Sequence, residues 1–102
     1  MDVKLNKAEW DGVSAEDRKK IEQIIASHFH GLKIVGDSGA AAAKTIVGQK
    51  VFAFSFHNPI CSAACGVAEA AAVAACSALS GPAVGICVAA AHAAGDLCRS
   101  RC

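Results

Sequence analysis

Six cysteines between positions 61 and 102 constrain this chain more than any other feature. Successive cysteines lie 4, 11, 11, 11 and 4 residues apart, a spacing that reads the same from either end. Cys61 mirrors Cys102, Cys65 mirrors Cys98 and Cys76 mirrors Cys87, all about the boundary between Gly81 and Pro82. Gly-Pro is a strong turn signal. Spacings of 4 and 11 are also helical, because at about 100° per residue they return to within about 40° and 20° of the starting direction. Each trio of cysteines therefore lines one stripe of a helix. Folding the chain at Gly81-Pro82 brings the stripes together antiparallel. Of the 15 connectivities open to six cysteines, this geometry favours Cys61–Cys102, Cys65–Cys98 and Cys76–Cys87.

The intervening residues suit such a hairpin. Ala68, Ala72 and Leu79 share the first stripe, and Val84, Ala91 and Ala94 share the second. A disulfide needs Cα atoms about 5.5–6 Å apart, and alanine permits that approach while being the best helix former. A reduced alternative places CxxxC pairs, Cys61/Cys65 and Cys98/Cys102, at the open end as zinc ligands. That spacing is not the usual one for zinc, and it leaves Cys76 and Cys87 without a role. Disulfides are the preferred reading, and no metal or cofactor is implied.

The charge is divided along the chain. Residues 1–50 carry eight Lys or Arg and seven Asp or Glu, whereas from Val51 to Leu97 only Glu69 and Asp96 are charged, before Arg99 and Arg101 close the sequence. With a net charge of +1 there is no electrostatic footprint for nucleic acid. Paired cysteines in so short a chain point to an oxidising compartment, yet MDVKLNKAEW has no apolar core of a general secretory signal peptide. The expectation is a secreted protein exported by another route. Residues 1–39 are expected to be a leader-like or accessory helical segment, and 40–102 an Ala/Cys-rich region containing the hairpin 61–102.

Within the polar part, Asn6 with Glu9 predicts a capped short turn over Lys7 to Asp11, stopping at Gly12. Ser14 with Asp17 repeats the signature and opens a helix from Ala15 to about Phe29. Its apolar stripe is Ile21, Ile24, Ile25 and Phe29, on which Trp10 is expected to pack. Leu32 to Val35 is β-prone, Gly36-Asp37-Ser38-Gly39 reads as a turn or linker, and Ala40 to Val47 can be helical. Lys50 to His57 alternates, with Phe52, Phe54 and Phe56 on one face of a candidate strand. A lone strand is not stable, so this run must pair with Leu32–Val35, dock on the hairpin or remain disordered. The fold class is mainly α: an N-terminal amphipathic helix, a short β-prone middle, and a stapled antiparallel helical hairpin.

Catalytic chemistry finds little to work with. His28 and His30 sit near a helix end, His57 follows the phenylalanine run, and His92 lies off the cysteine stripe. No two have ligand spacing. Glu69, alone in an apolar helix, reads as a solvated carboxylate. There is no nucleophile motif, phosphate-binding glycine loop or carboxylate pair, so an enzyme is not expected. The hairpin helices, at 19–20 residues, approach the roughly 30 Å thickness of a bilayer core. Their alanine-rich outer faces make insertion marginal rather than obligatory. The expected lipid-facing residues are Val67, Val73, Ile86 and Val88, with Arg99 and Arg101 at the headgroups.

A charged front segment, the junction Gly36-Asp-Ser-Gly-Ala40 and an apolar Ala/Gly/Cys-rich rear together resemble a ribosomally made bacteriocin precursor. Cys-Ser-Ala-Ala-Cys at 61–65 and Gly-Pro-Ala-Val-Gly-Ile-Cys at 81–87 are similar in texture to cysteine-rich halocin-type peptides. The resemblance implies a leader, export and processing machinery, and a secreted core that acts on a target membrane. The alternative is a non-toxic stapled hairpin serving as a protein-binding or assembly module, like the twin-cysteine proteins. Those carry nine residues between paired cysteines, where this chain has ten and a third pair.

Overall fold

The computed structural model describes residues 2–43, 45 and 59–101. Strand β1 (Asp2–Asn6) leads into helix α1 (Lys7–Asp11), helix α2 (Ala15–His28) and strand β2 (Lys33–Asp37). Helix α3 (Pro59–Ala75), a 3-10 turn (Cys76–Ala78) and helix α4 (Pro82–Ser100) follow. The fold is mainly α, with an N-terminal helix and a disulfide-stapled antiparallel hairpin as expected.

Local sequence sets the starts and stops. The Asn6 side chain accepts from the Glu9 N–H at 3.1 Å and opens α1, which ends at Gly12. Ser14 Oγ accepts from the Asp17 N–H at 3.2 Å and opens α2, each side chain satisfying a donor that a helix N-terminus leaves free. The chain leaves α2 at Phe29, which is already extended, and turns at Gly31 in the left-handed region (φ 74°).

Strand β2 pairs with β1 in parallel, Val3 opposite Ile34 and Leu5 opposite Gly36. The partner of the β-prone run is thus the first five-residue strand of the chain, reached across α2. Val3 and Leu5 point into the core, while Asp2 and Lys4 face out. The strand runs on through Gly36 and Asp37, which the sequence places in a linker. A Cβ at Gly36 would lie 3.3 Å from the Lys7 Cα, tighter than ordinary contact. The turn follows, with Asp37 Oδ1 accepting from the Gly39 N–H at 2.8 Å. Of the expected Ala40–Val47 helix, Ala40 to Ala42 are not helical, whereas Ala43 and Thr45 are. The rest of the expected Ala40–Val47 helix beyond Thr45, and the phenylalanine strand of residues 50–57, lie outside the described residues.

The hairpin turns where the cysteine mirror puts it. Gly81 adopts a positive φ of 63°, and Pro82 begins α4 at a position where its missing N–H costs nothing. Cys65–Cys98 and Cys76–Cys87 are disulfides with Cα separations of 5.7 and 5.6 Å. Cys61 is also disulfide-bonded, and the other end of the expected Cys61–Cys102 bond lies outside the described residues. For separations of 33 and 11 residues, chain-entropy arguments give about 3–4 kcal/mol per bond, less when nested bonds share a constraint.

One core joins the polar and apolar parts of the sequence. Val3, Leu5, Trp10, Ile21, Ile25 and Phe29 are buried in the same cluster as Ala72, Cys76, Leu79, Ile86, Cys87 and Ala91. Helix α4 sits at its centre, packing on α3, α2 and β1. Its run of buried alanines, Ala89, Ala90, Ala91 and Ala94, keeps the helix thin enough for neighbours on more than one side. Ile21 and Ile25 are almost wholly buried, a stabilisation of about 1.5–3 kcal/mol each.

Candidate functional site

Helix α3 packs on α4 and on α2 and leaves one side open. Its buried residues are Cys65 and Ala72, on the stripe that faces α4. The opposite side exposes Ile60, Ala63, Ala64, Val67, Ala70, Ala71 and Ala74, a helical series with no charged or polar member. Ile60 is 81% exposed and Val67 71%, the exposed large hydrophobic residues among those described. Helical length and composition over Pro59–Ala78 suffice to cross a bilayer, and only 17% of its most apolar window is buried. A core helix of the same composition would be mostly covered.

The expected lipid-facing residues divide. Val67 lies on this open side. Val73 and Val88 are partly buried against the core. Ile86 does not face outward: it is 7% exposed and belongs to the core. The hairpin considered alone leaves both helices with a free outer side, and residues 2–37 occupy the side that α4 offers, with α2 also packing on α3.

The single charge of α3 is turned inward. Glu69 is not a solvated carboxylate: its side chain is 19% exposed and engages α4. Arg99 donates to Glu69 Oε1 at 3.2 Å and to Oε2 at 3.4 Å, a forked, charge-assisted arrangement. His92 Nδ1 lies 3.4 Å from Oε1, and Asp96 takes a further hydrogen bond from Arg99. Arg99, expected at the headgroups, is therefore 17% exposed and paired within the fold. Burial pulls its pKa down, but the hydrogen bonds and charges of Glu69 and Asp96 outweigh this and hold it above its ordinary value. Arg101 is exposed just beyond the end of α4.

The cluster is built by the hairpin itself. Cys65 precedes Glu69 by one helical turn and Cys98 precedes Arg99 by one residue, so the Cys65–Cys98 bond fixes the two charges in register. Gly95 supplies the seat, because a Cβ there would lie 2.7 Å from the Glu69 carboxyl carbon. The mirror that pairs the cysteines also sets position 94 opposite Glu69, with His92, Gly95 and Arg99 within about a turn and a half. That is the sequence signal by which the cluster was findable.

His28 and the groove residues Ser14 and Glu9 serve the fold. His28 Nδ1 lies 2.9 Å from the Ile24 carbonyl in the last turn of α2, His30 is exposed, and His57 lies outside the described residues. A groove of about 290 Å³ runs between α1, the start of α2 and the hairpin turn. Its Ser14 caps α2 and its Glu9 accepts from the Ala43 N–H at 2.7 Å. Among the described residues no three His, Cys, Asp or Glu side chains gather as a metal site.

Comparison with family models, curated proteins and solved structures finds no match for this chain.

Proposed function

We propose that this protein is a secreted, bacteriocin-like membrane-active peptide precursor whose working part is the stapled hairpin. The observation that carries the reading is the open side of α3, an apolar face about 17 residues long with its one charge drawn inward. Apolar surface of that extent on a small protein meets a partner, and an uncharged helical face suits the boundary between headgroups and acyl chains. Withdrawing much of Ile60 and Val67 from water contributes roughly 1.5–3 kcal/mol each at most. Binding is therefore weak for one copy of the full chain, and stronger binding depends on two weak helices being bared and held as one unit. The disulfides do that holding and are compatible with an extracellular location.

Residues 2–37 cover the outer side of α4 and Ile86 with it. Their removal by export and processing machinery would enlarge the apolar face to both helices. Dye release from vesicles is accordingly expected to be larger for residues 40–102 than for the full chain, and to fall when the disulfides are reduced. If neither form binds vesicles or releases dye at micromolar concentration, the membrane reading fails, and the same face becomes a docking surface for a protein partner.

A further inference from the structure

Resting on the membrane reading, we infer that the partner of the open α3 face is the apolar layer beneath the lipid headgroups whatever their charge, with α3 lying along the bilayer surface. Three observations carry this. The first is how α3 is held. The Cys65–Cys98 bond ties its inner side to α4 and the Cys76–Cys87 bond ties the turn that follows it, while α2 packs on both helices and β1 on α4. Lipid therefore reaches α3 from one side only. A spanning helix needs apolar contact all round, whereas a helix with one apolar side and a protein-bound other side belongs in the plane of the interface.

The second observation concerns the one charge. From Pro59 to Ala78 only Glu69 is charged, and its carboxylate is shared between Arg99 and His92 on the side away from the face. Gly95 provides the space that lets it turn inward. A free carboxylate at this mid-helix position would oppose entry into the apolar layer. Pairing within the hairpin removes that opposition without removing the residue.

The third is how little positive charge the described residues of the hairpin offer to a headgroup. Of the two arginines at the end of the chain, Arg99 is committed to Glu69 and Asp96. Arg101, exposed at the same end of the hairpin as Ile60, is left to meet a headgroup, and Asp96 nearby on α4 is exposed and opposite in sign. One arginine near an anionic surface favours binding about fivefold. A basic cluster would multiply that factor for each residue.

The test is flotation of the full, oxidised chain with vesicles of two compositions and the same acyl chains, one zwitterionic and one carrying anionic phosphatidylserine, each at low and high salt. Partition coefficients within about tenfold of each other, little changed by salt, are expected. In parallel, Arg99→Gln should weaken partitioning about tenfold by leaving the Glu69 charge uncompensated, and Glu69→Gln/Arg99→Gln should restore it. Circular dichroism with the disulfides intact checks that each variant is folded. Binding confined to anionic vesicles and abolished by salt would overturn the inference and leave the membrane reading standing. An Arg99→Gln effect that the double variant fails to rescue would also overturn it. Absence of binding to either vesicle would remove both.

Discussion

Substituting Gly95 by alanine puts the interior of the hairpin to a test of sign. In an ordinary helix interior Gly→Ala stabilises by about 0.5–1 kcal/mol, because glycine loses more backbone freedom on folding. At Gly95 the new Cβ would lie 2.7 Å from the Glu69 carboxyl carbon and 3.0 Å from its Cγ. The backbone has no cause to move, since Glu69 is a flexible side chain and can swing outward. It would then lose both hydrogen bonds from Arg99 and the contact with His92. Hydrogen bonds to charged groups contribute about 1.5–3 kcal/mol in such half-buried settings. Set against the helix gain, Gly95→Ala should destabilise by about 1 kcal/mol, lowering Tm by about 4–8 °C. Thermal unfolding of the oxidised protein by circular dichroism measures this directly. The decisive comparison is the Glu69→Ala background, where the carboxylate is gone and Gly95→Ala should raise Tm. If Gly95→Ala is stabilising in the wild type as well, the Glu69–Arg99 pairing contributes nothing and the account of the seat is wrong.

Other outcomes follow from the same structure. Proteolysis under non-reducing conditions with mass mapping should recover Cys65–Cys98, Cys76–Cys87 and Cys61–Cys102; a Cys61–Cys65 peptide would contradict the mirror. Replacing Cys76 and Cys87 together by alanine should cost about 3 kcal/mol in denaturant unfolding, and an unchanged midpoint would show that the turn needs no staple. Ile21→Ala, at a fully buried site, should cost about 2–5 kcal/mol and lower the melting of the hairpin along with that of α2. Two separate transitions would instead show that the shared core is not cooperative. Residues 40–102 alone should keep their disulfides and bind a hydrophobic dye through the uncovered side of α4 around Ile86, and absence of dye binding would mean that side is not apolar once bare.

The hairpin was legible because its constraint is arithmetic. Cysteine positions mirrored about Gly81-Pro82 specify turn, register and pairing at once, and the helical spacing specifies the elements. The two capping pairs, Asn6/Glu9 and Ser14/Asp17, were legible for a local reason, since each acts within three residues. Strand β1 was not. It shows only Val3 and Leu5 as alternating apolar residues, and its partner lies across an intervening helix, where no turn signal marks the pairing. The fate of Ile86 was hidden for a similar reason. Periodicity shows that a residue lies off the cysteine stripe, but not which other element covers it. Glu69 looked isolated because its partners lie 23 and 30 residues onward, so a charge pair across the hairpin shows only when the mirror is applied beyond the cysteines. Arg99 carried the matching error: two arginines at the end of an apolar segment suggest headgroup contacts, and one of them is consumed within the fold.

The central claim, that the open side of α3 is what meets the membrane, is tested most directly by placing charge on that side. Ile60→Asp and Val67→Asp together alter the two most exposed large hydrophobic residues among those described and leave the core untouched, so helical content and melting should stay close to wild type. Flotation with zwitterionic vesicles should then show partitioning reduced by at least about a hundredfold, from two carboxylates opposing entry together with the lost apolar contact. A double variant that is folded and floats as well as wild type would contradict the claim.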